Sequence, residues 1–125
     1  KPGTGSIIVI VATDAPVLPW QLSKMCKRIP MGIGRLGGCY ENGSGDIFLA
    51  FSTANEEAYT TTKSNIELLG DDMLDPIFKA VADATEEAII NSLFAAETMV
   101  GTEHNTLYAL PQDQVLDILK KNGKL

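Results

Sequence analysis

The sequence predicts a mixed α/β fold whose sheet is only partly contained in this chain. Two observations predict it. Two short runs are apolar at every position, Ile7 to Ala12 and Ile47 to Phe51, and three other segments carry apolar residues at helical spacing. Unbroken apolar runs of this length read as strands buried on both faces, and such strands tend to lie side by side in one sheet. A sheet of two or three strands with both faces apolar leaves edges and hydrophobic area uncovered and is rarely stable alone. The missing strands are therefore expected from a separate segment.

The first strand follows Lys1-Pro2-Gly3-Thr4-Gly5 and is headed by Ser6. A buried strand fixes its first residue in space. If the Gly5–Ser6 peptide bond were cut, Ser6 would carry a hydroxyl and a free α-amine on one residue, the arrangement of an N-terminal nucleophile. An α-amino group has a pKa near ~8, so roughly a tenth is unprotonated at pH 7, against well under ~0.1% of an ordinary lysine. The backbone would thus supply its own base. Glycine before the serine also lets a nucleophile approach its carbonyl closely. A loop ending in Gly-Ser ahead of a strand is nevertheless common.

After the turn Thr13-Asp14-Ala15-Pro16, the segment Pro19 to Ile29 predicts a helix, with Pro19 in its first turn and Leu22, Met25, Cys26 and Ile29 on one face. Pro30 is expected to end it. Gly32-Ile33-Gly34-Arg35-Leu36-Gly37 has the spacing of a dinucleotide fingerprint. It follows a helix instead of a strand, so a flexible connection is the plainer reading. Arg35 reads as a solvated arginine, with an ion pair or a substrate contact as the other possibilities.

Asn42-Gly43-Ser44-Gly45-Asp46 is turn material leading into the second strand, Ile47 to Phe51. It also satisfies the glycosylation sequon, which matters only in a secreted protein. Each apolar strand is thus preceded by a serine. If the strands are neighbours, Ser6, Ser44 and the Asp46 carboxylate could converge at one end of the sheet; otherwise Ser44 and Asp46 only cap a turn.

Ser52 to Asn65 is polar, and Tyr59-Thr60-Thr61-Thr62 suggests an edge strand or a loop. Asp75-Pro76 opens a long helix through about Ala95, with Leu74, Ile77, Phe78, Val81, Ala84, Ala88, Ile89 and Ser92 on one face. Asp83, Glu86 and Glu87 lie off or beside that stripe and read as solvated. Thr98 to Asn105 is a polar connection holding His104, the sole histidine and the only candidate for a Ser-His-Asp triad; nothing local supports that role. Gln112 to Lys121 is the last helix, closed by Asn122-Gly123.

At 125 residues a single domain is expected. A net charge of −6, with the ten basic residues dispersed, argues against a nucleic-acid partner. No run approaches a membrane span, and the opening residues lack a signal-peptide pattern. Cys26 and Cys39 show no metal-ligand spacing, which favours reduced thiols and a cytoplasmic setting; no cofactor or metal motif is present.

Several runs together resemble one family: Gly5 through Pro16, Arg28-Ile29-Pro30-Met31-Gly32-Ile33-Gly34-Arg35, Ser44-Gly45-Asp46-Ile47-Phe48, Ala50 through Asn55, and Ala84 through Asn91. They resemble the C-terminal part of the β-peptidyl aminopeptidases, which include the L-aminopeptidase D-amidase/esterases. The resemblance covers essentially the whole chain. It implies an inactive precursor that cleaves itself between Gly5 and Ser6, residues 1–5 being the tail ahead of the cut and residues 6–125 the catalytic subunit with Ser6 as nucleophile. While the tail is attached, the Ser6 amine is an amide and cannot act as base. It further implies that Ser44 and Asp46 flank the nucleophile and handle its proton, although some members carry glutamate where this chain has the shorter Asp46. The implied fold is a four-layer αββα sandwich of N-terminal-nucleophile-like type. A larger N-terminal subunit would complete it, bringing an oxyanion-binding asparagine and a pocket tyrosine. The implied substrates are small peptides, amides or esters, and the two-subunit unit is expected in a higher oligomer. Two other expectations remain open at this stage: a noncatalytic assembly module, and an acetyltransferase of the ornithine acetyltransferase type, against which a serine in place of threonine counts.

Overall fold

Strands β1 (Ile8–Thr13) and β2 (Ile47–Ser52) pair in parallel, with Ile8 opposite Ile47 and Thr13 opposite Ser52. The computed structural model describes residues 5–59 and 62–125, and the chain divides into two compact units, Lys1–Glu86 and Glu87–Leu125. A parallel pair needs a crossover, here supplied by α1 (Pro19–Cys26) and α2 (Ile29–Arg35). The core of the first unit is Val17, Met25, Ile29, Leu74 and Val81. Against it pack Val9, Val11 and Phe48 from one face of the sheet, and Ile77 and Phe78 from α3 (Leu74–Ala95).

Burial alternates along both strands, so the expectation of strands covered on both faces holds for one face only. Ile8, Ile10, Ile47 and Leu49 on the other face are 55–70% exposed. The reason is the pleat: successive side chains point to opposite sides, and in this chain helices cover only one of them.

The expected single helix from Pro19 to Ile29 is two. Arg28 N donates to Met25 O (2.8 Å) and Met31 N to Arg28 O (3.0 Å), turning the chain between α1 and α2. Pro30 does not stop a helix but sits in the first turn of α2, where its missing N–H costs nothing. The flexible connection expected over Gly32 to Gly37 is likewise corrected, because α2 runs through Gly32 and Gly34 to Arg35.

Gly32 is buried where α2 meets α3: a Cβ there would lie 2.5 Å from Ala82 O, 2.8 Å from Thr85 Cβ and 3.0 Å from Glu86 N. A Cβ on Gly34 would meet nothing within 4 Å. Gly32→Ala is therefore expected to destabilise by about 1–3 kcal/mol through overpacking, which exceeds its gain in helix propensity. Gly34→Ala should stabilise by about 0.4–1 kcal/mol. Thermal unfolding of the two variants, made from the complete gene, checks the pair; equal melting temperatures would refute the packing argument.

Beside Gly32, Arg35 pairs with Asp83 (2.7 Å) and Glu86 (2.9 Å), and Lys79 also reaches Asp83. Lys79 and Arg35 hold the Asp83 carboxyl below the usual carboxylate range. Arg35 is thus an ion-pair residue between α2 and α3. Gln21, buried in α1, accepts from Leu18 N (3.1 Å) and donates to Leu69 O and Asp71 Oδ1 (both 2.8 Å), fixing the segment before α3. Asn55 grips Glu67 through both backbone groups (3.1 and 2.7 Å). Glu56–Tyr59 is a 3₁₀ turn, and Thr60 and Thr61 of the expected edge strand lie outside the described residues.

In the second unit, β3 (Met99–Val100) and β4 (Thr106–Leu107) form a small antiparallel hairpin where the sequence suggests only a polar connection. Two-residue strands are too short to show alternation. His104 is exposed in its turn, with φ +61°, and its backbone carbonyl accepts from Thr106 Oγ1. Helix α4 spans Gln112–Lys121, as the apolar spacing indicates. Among the described residues, no helix is long and apolar enough to cross a membrane.

Candidate active site

The register of the parallel pair builds the site. With Ile8 opposite Ile47, the residues just ahead of the two strands also face one another, at the N-terminal end of the sheet. Ile47 N donates to Ile7 O (3.0 Å), and Ile7 N donates to Asp46 Oδ1 (3.1 Å). The ladder thus ends with a side-chain carboxylate where a backbone carbonyl would otherwise accept. One step further out, Gly45 N donates to Ser6 Oγ at 2.9 Å. Ser44 Oγ donates to Asp46 Oδ1 at 2.5 Å, a short bond of the charge-assisted kind, and the turn is closed by Ser44 N on Glu41 O (2.8 Å).

Ser6, Ser44 and Asp46 therefore do lie together at one sheet end. Ser6 is exposed, whereas Ser44 and Asp46 are half-buried. Because Gly45 N–H occupies one lone pair of Ser6 Oγ, the hydroxyl proton is left to be donated elsewhere. A single Asp46 oxygen receives two hydrogen bonds, which locks the carboxylate between the start of β1 and the turn before β2. Gly5 is exposed, and a Cβ on it would meet nothing within 4 Å, so packing inside this chain does not demand glycine there.

Tyr40 is a neighbour that sequence reasoning missed. Its ring meets Phe48 edge to face at 6.3 Å, and its backbone takes φ +54°, a region that few bulky residues occupy. Burial, and then the negative charge of Asp46, push its phenol pKa up. The only advance signal was an aromatic residue next to a glycine-rich loop. Another candidate does not belong to the cluster: Arg35 is engaged with α3. Among the described residues, no group of three or more His, Cys, Asp or Glu side chains is placed to hold a metal ion.

Comparison with known proteins places the chain in a family. The β-peptidyl aminopeptidase BapA of Sphingosinicella microcystinivorans is 48% identical over 126 residues, covering 99% of this chain and 32% of that protein. The crystal structure of the PH0078 protein from Pyrococcus horikoshii OT3 superposes with a TM-score of 0.88 at 49% identity, over 96% of this chain and 34% of that one. The L-aminopeptidase D-Ala-esterase/amidase of Ochrobactrum anthropi, described as a prototype of the serine aminopeptidases and a new variant of the Ntn hydrolase fold, superposes with a TM-score of 0.84 at 38% identity, over 96% of this chain and 34% of that one. This chain thus shares the fold of part of an Ntn-type enzyme and spans about a third of the length of the curated relatives it matches. The profile of peptidase family S58 matches residues 1–107, and the chain belongs to that family.

Proposed function

We propose that this chain is the nucleophile-bearing part of a self-processing serine aminopeptidase. The observation that carries the reading is the hydrogen-bonded set Ser6–Gly45 and Ser44–Asp46–Ile7 at the open end of the parallel pair. Parallel sheets usually bind ligands at the C-terminal ends of their strands. A nucleophile whose base is its own α-amine needs instead the N-terminal end, where the strand begins.

In maturation, Ser6 Oγ attacks the Gly5 carbonyl carbon, the Gly5–Ser6 amide breaks, and the serine nitrogen takes up the proton. The resulting ester is hydrolysed by water, leaving a Gly5 carboxylate and a free Ser6 amine. In turnover, Ser6 Oγ attacks the carbonyl of an N-terminal residue of a small peptide, amide or ester. The Ser6 amine accepts the hydroxyl proton and passes it to the leaving amine, and water then releases the acyl group. Gly45 N–H holds Oγ in place. Ser44 and Asp46 anchor the start of β1, and with it the amine.

The apolar sheet face left open here supports a second layer supplied by a larger N-terminal subunit, giving a four-layer αββα sandwich with residues 1–5 as the tail ahead of the cut and residues 6–125 as the mature subunit. The same subunit would bring the oxyanion donor and the pocket, and the pair would assemble further into a higher oligomer. Free Cys26 and Cys39 support a cytoplasmic setting.

Intact mass spectrometry of the protein expressed from its complete gene tests the reading. The expected result is a fragment beginning at Ser6 that gains one adduct from a serine-directed sulfonyl fluoride, on its N-terminal peptide. An uncut polypeptide with no adduct at Ser6 would support a noncatalytic assembly module instead.

A further inference from the structure

Asn42 and Gly43 form the tip of the turn that carries Ser44, and neither takes part in the hydrogen-bonded cluster. Both are exposed. Ser44 N closes the turn, while the Gly43 N–H and the Asn42 side-chain amide engage no partner among the described residues. The chain has a second Asn-Gly pair that is tied down at both groups: Asn122 Nδ2 donates to Ile118 O (2.8 Å) and Gly123 N to Lys120 O (3.1 Å). The remaining asparagines, Asn55, Asn65, Asn91 and Asn105, precede residues that carry side chains.

This contrast matters for one reaction. A backbone nitrogen can attack the side-chain carbonyl of a preceding asparagine only if it is free and unobstructed. Glycine removes the Cβ that would block the approach and allows the backbone angles the closure needs. From this we infer that Asn42 is a site of spontaneous modification, losing its amide through a succinimide with Gly43 and becoming isoaspartate or aspartate two residues ahead of Ser44. The Gly43 N–Asn42 Cγ bond forms, the Cγ–Nδ2 bond breaks, and ammonia leaves with the Gly43 amide proton. Water then opens the ring at either carbonyl. Opening at Cγ gives aspartate, and opening at the backbone carbonyl gives isoaspartate, with the chain rerouted through the side chain.

Either product places a new carboxylate at residue 42 of the turn, and isoaspartate also lengthens the backbone that presents Ser44. The turn closure from Ser44 N to Glu41 O spans residue 42 and would have to re-form around the longer link. Modification therefore acts as a slow off-switch for the Ser44–Asp46 arm. That consequence rests on the aminopeptidase reading; the modification itself does not.

The test holds the protein made from its complete gene in warm, mildly alkaline buffer, with timed peptide mapping by mass spectrometry, isoaspartate methyltransferase labelling and aminopeptidase assays. Residue 42 should show the amide-to-acid mass change and methyl acceptance several-fold faster than residue 122. Gly43→Ala should slow it several-fold, and activity should decline in step in the unaltered protein but not in Gly43→Ala. Conversion at residue 42 no faster than at residue 122, or unchanged by Gly43→Ala, overturns the inference. Conversion with steady activity in the unaltered protein overturns the off-switch. Absence of any aminopeptidase activity from the outset sinks the functional reading, while the mass measurement still decides the modification.

Discussion

Ser6→Ala should leave the precursor uncut and reduce aminopeptidase activity by on the order of 10⁴-fold or more, the scale seen when a catalytic serine is removed. The argument is local. Ser6 Oγ lies at the head of β1, held by Gly45 N at 2.9 Å and exposed to an incoming carbonyl. Ser44, the nearest alternative hydroxyl in the cluster, is half-buried and gives its proton to Asp46, so it is poorly placed to replace Ser6. Ser6→Cys should still split the precursor, because a thiol at the same atom position reaches the same carbonyl. Gel analysis and intact mass of the three proteins check this directly. A Ser6→Ala protein that still splits at Gly5–Ser6 would falsify the nucleophile assignment, whatever its activity.

Asp46→Ala should cost about 100-fold or more in turnover, at the lower end of what a positioned proton-handling group supplies. Its Oδ1 is the shared acceptor for Ile7 N and Ser44 Oγ. Removing it leaves both donors unpaired at a half-buried site and frees the residue that follows the nucleophile. Asp46→Asn separates two roles, because its Oδ1 can still accept while the charge is gone. If charge governs the Ser6 amine, Asp46→Asn should behave like Asp46→Ala, and the acid limb of the pH–rate profile should move to lower pH. A cation near a carboxylate holds its proton more tightly, so losing the carboxylate lowers the amine's pKa. If Asp46→Asn matches the unaltered enzyme in rate and profile, the carboxylate serves only as a hydrogen-bond acceptor at the end of the ladder.

Much of the fold was readable in the residues because apolar patterning reports burial. β1, β2, α3 and α4 fall where Ile7 to Ala12, Ile47 to Phe51, the Leu74 to Ala95 stripe and Gln112 to Lys121 place them. What failed depended on partners distant in sequence. Pro30 was expected to end a helix, since proline disfavours helical geometry in the residue before it, yet it also suits a helix's first turn; the break at Lys27 and Arg28 decided between the two. Gly32 fitted a nucleotide loop by spacing but is small because α3 presses against it. Tyr40 could not be assigned from its neighbours, since its significance comes from Phe48 and Asp46.

The linear order of residues by itself determined that Ser6 heads an apolar strand, that Ser44 and Asp46 precede another, and that this sheet would want more cover than the chain supplies. Periodicity and end residues are local properties and need no partner to be read. Only the tertiary structure decided that the two strands run parallel in a register that brings Gly45 N to Ser6 Oγ and Asp46 Oδ1 to Ile7 N. Register is a relation between segments about forty residues apart, set by which apolar face each strand turns toward the helices, and no stretch of either strand alone contains it.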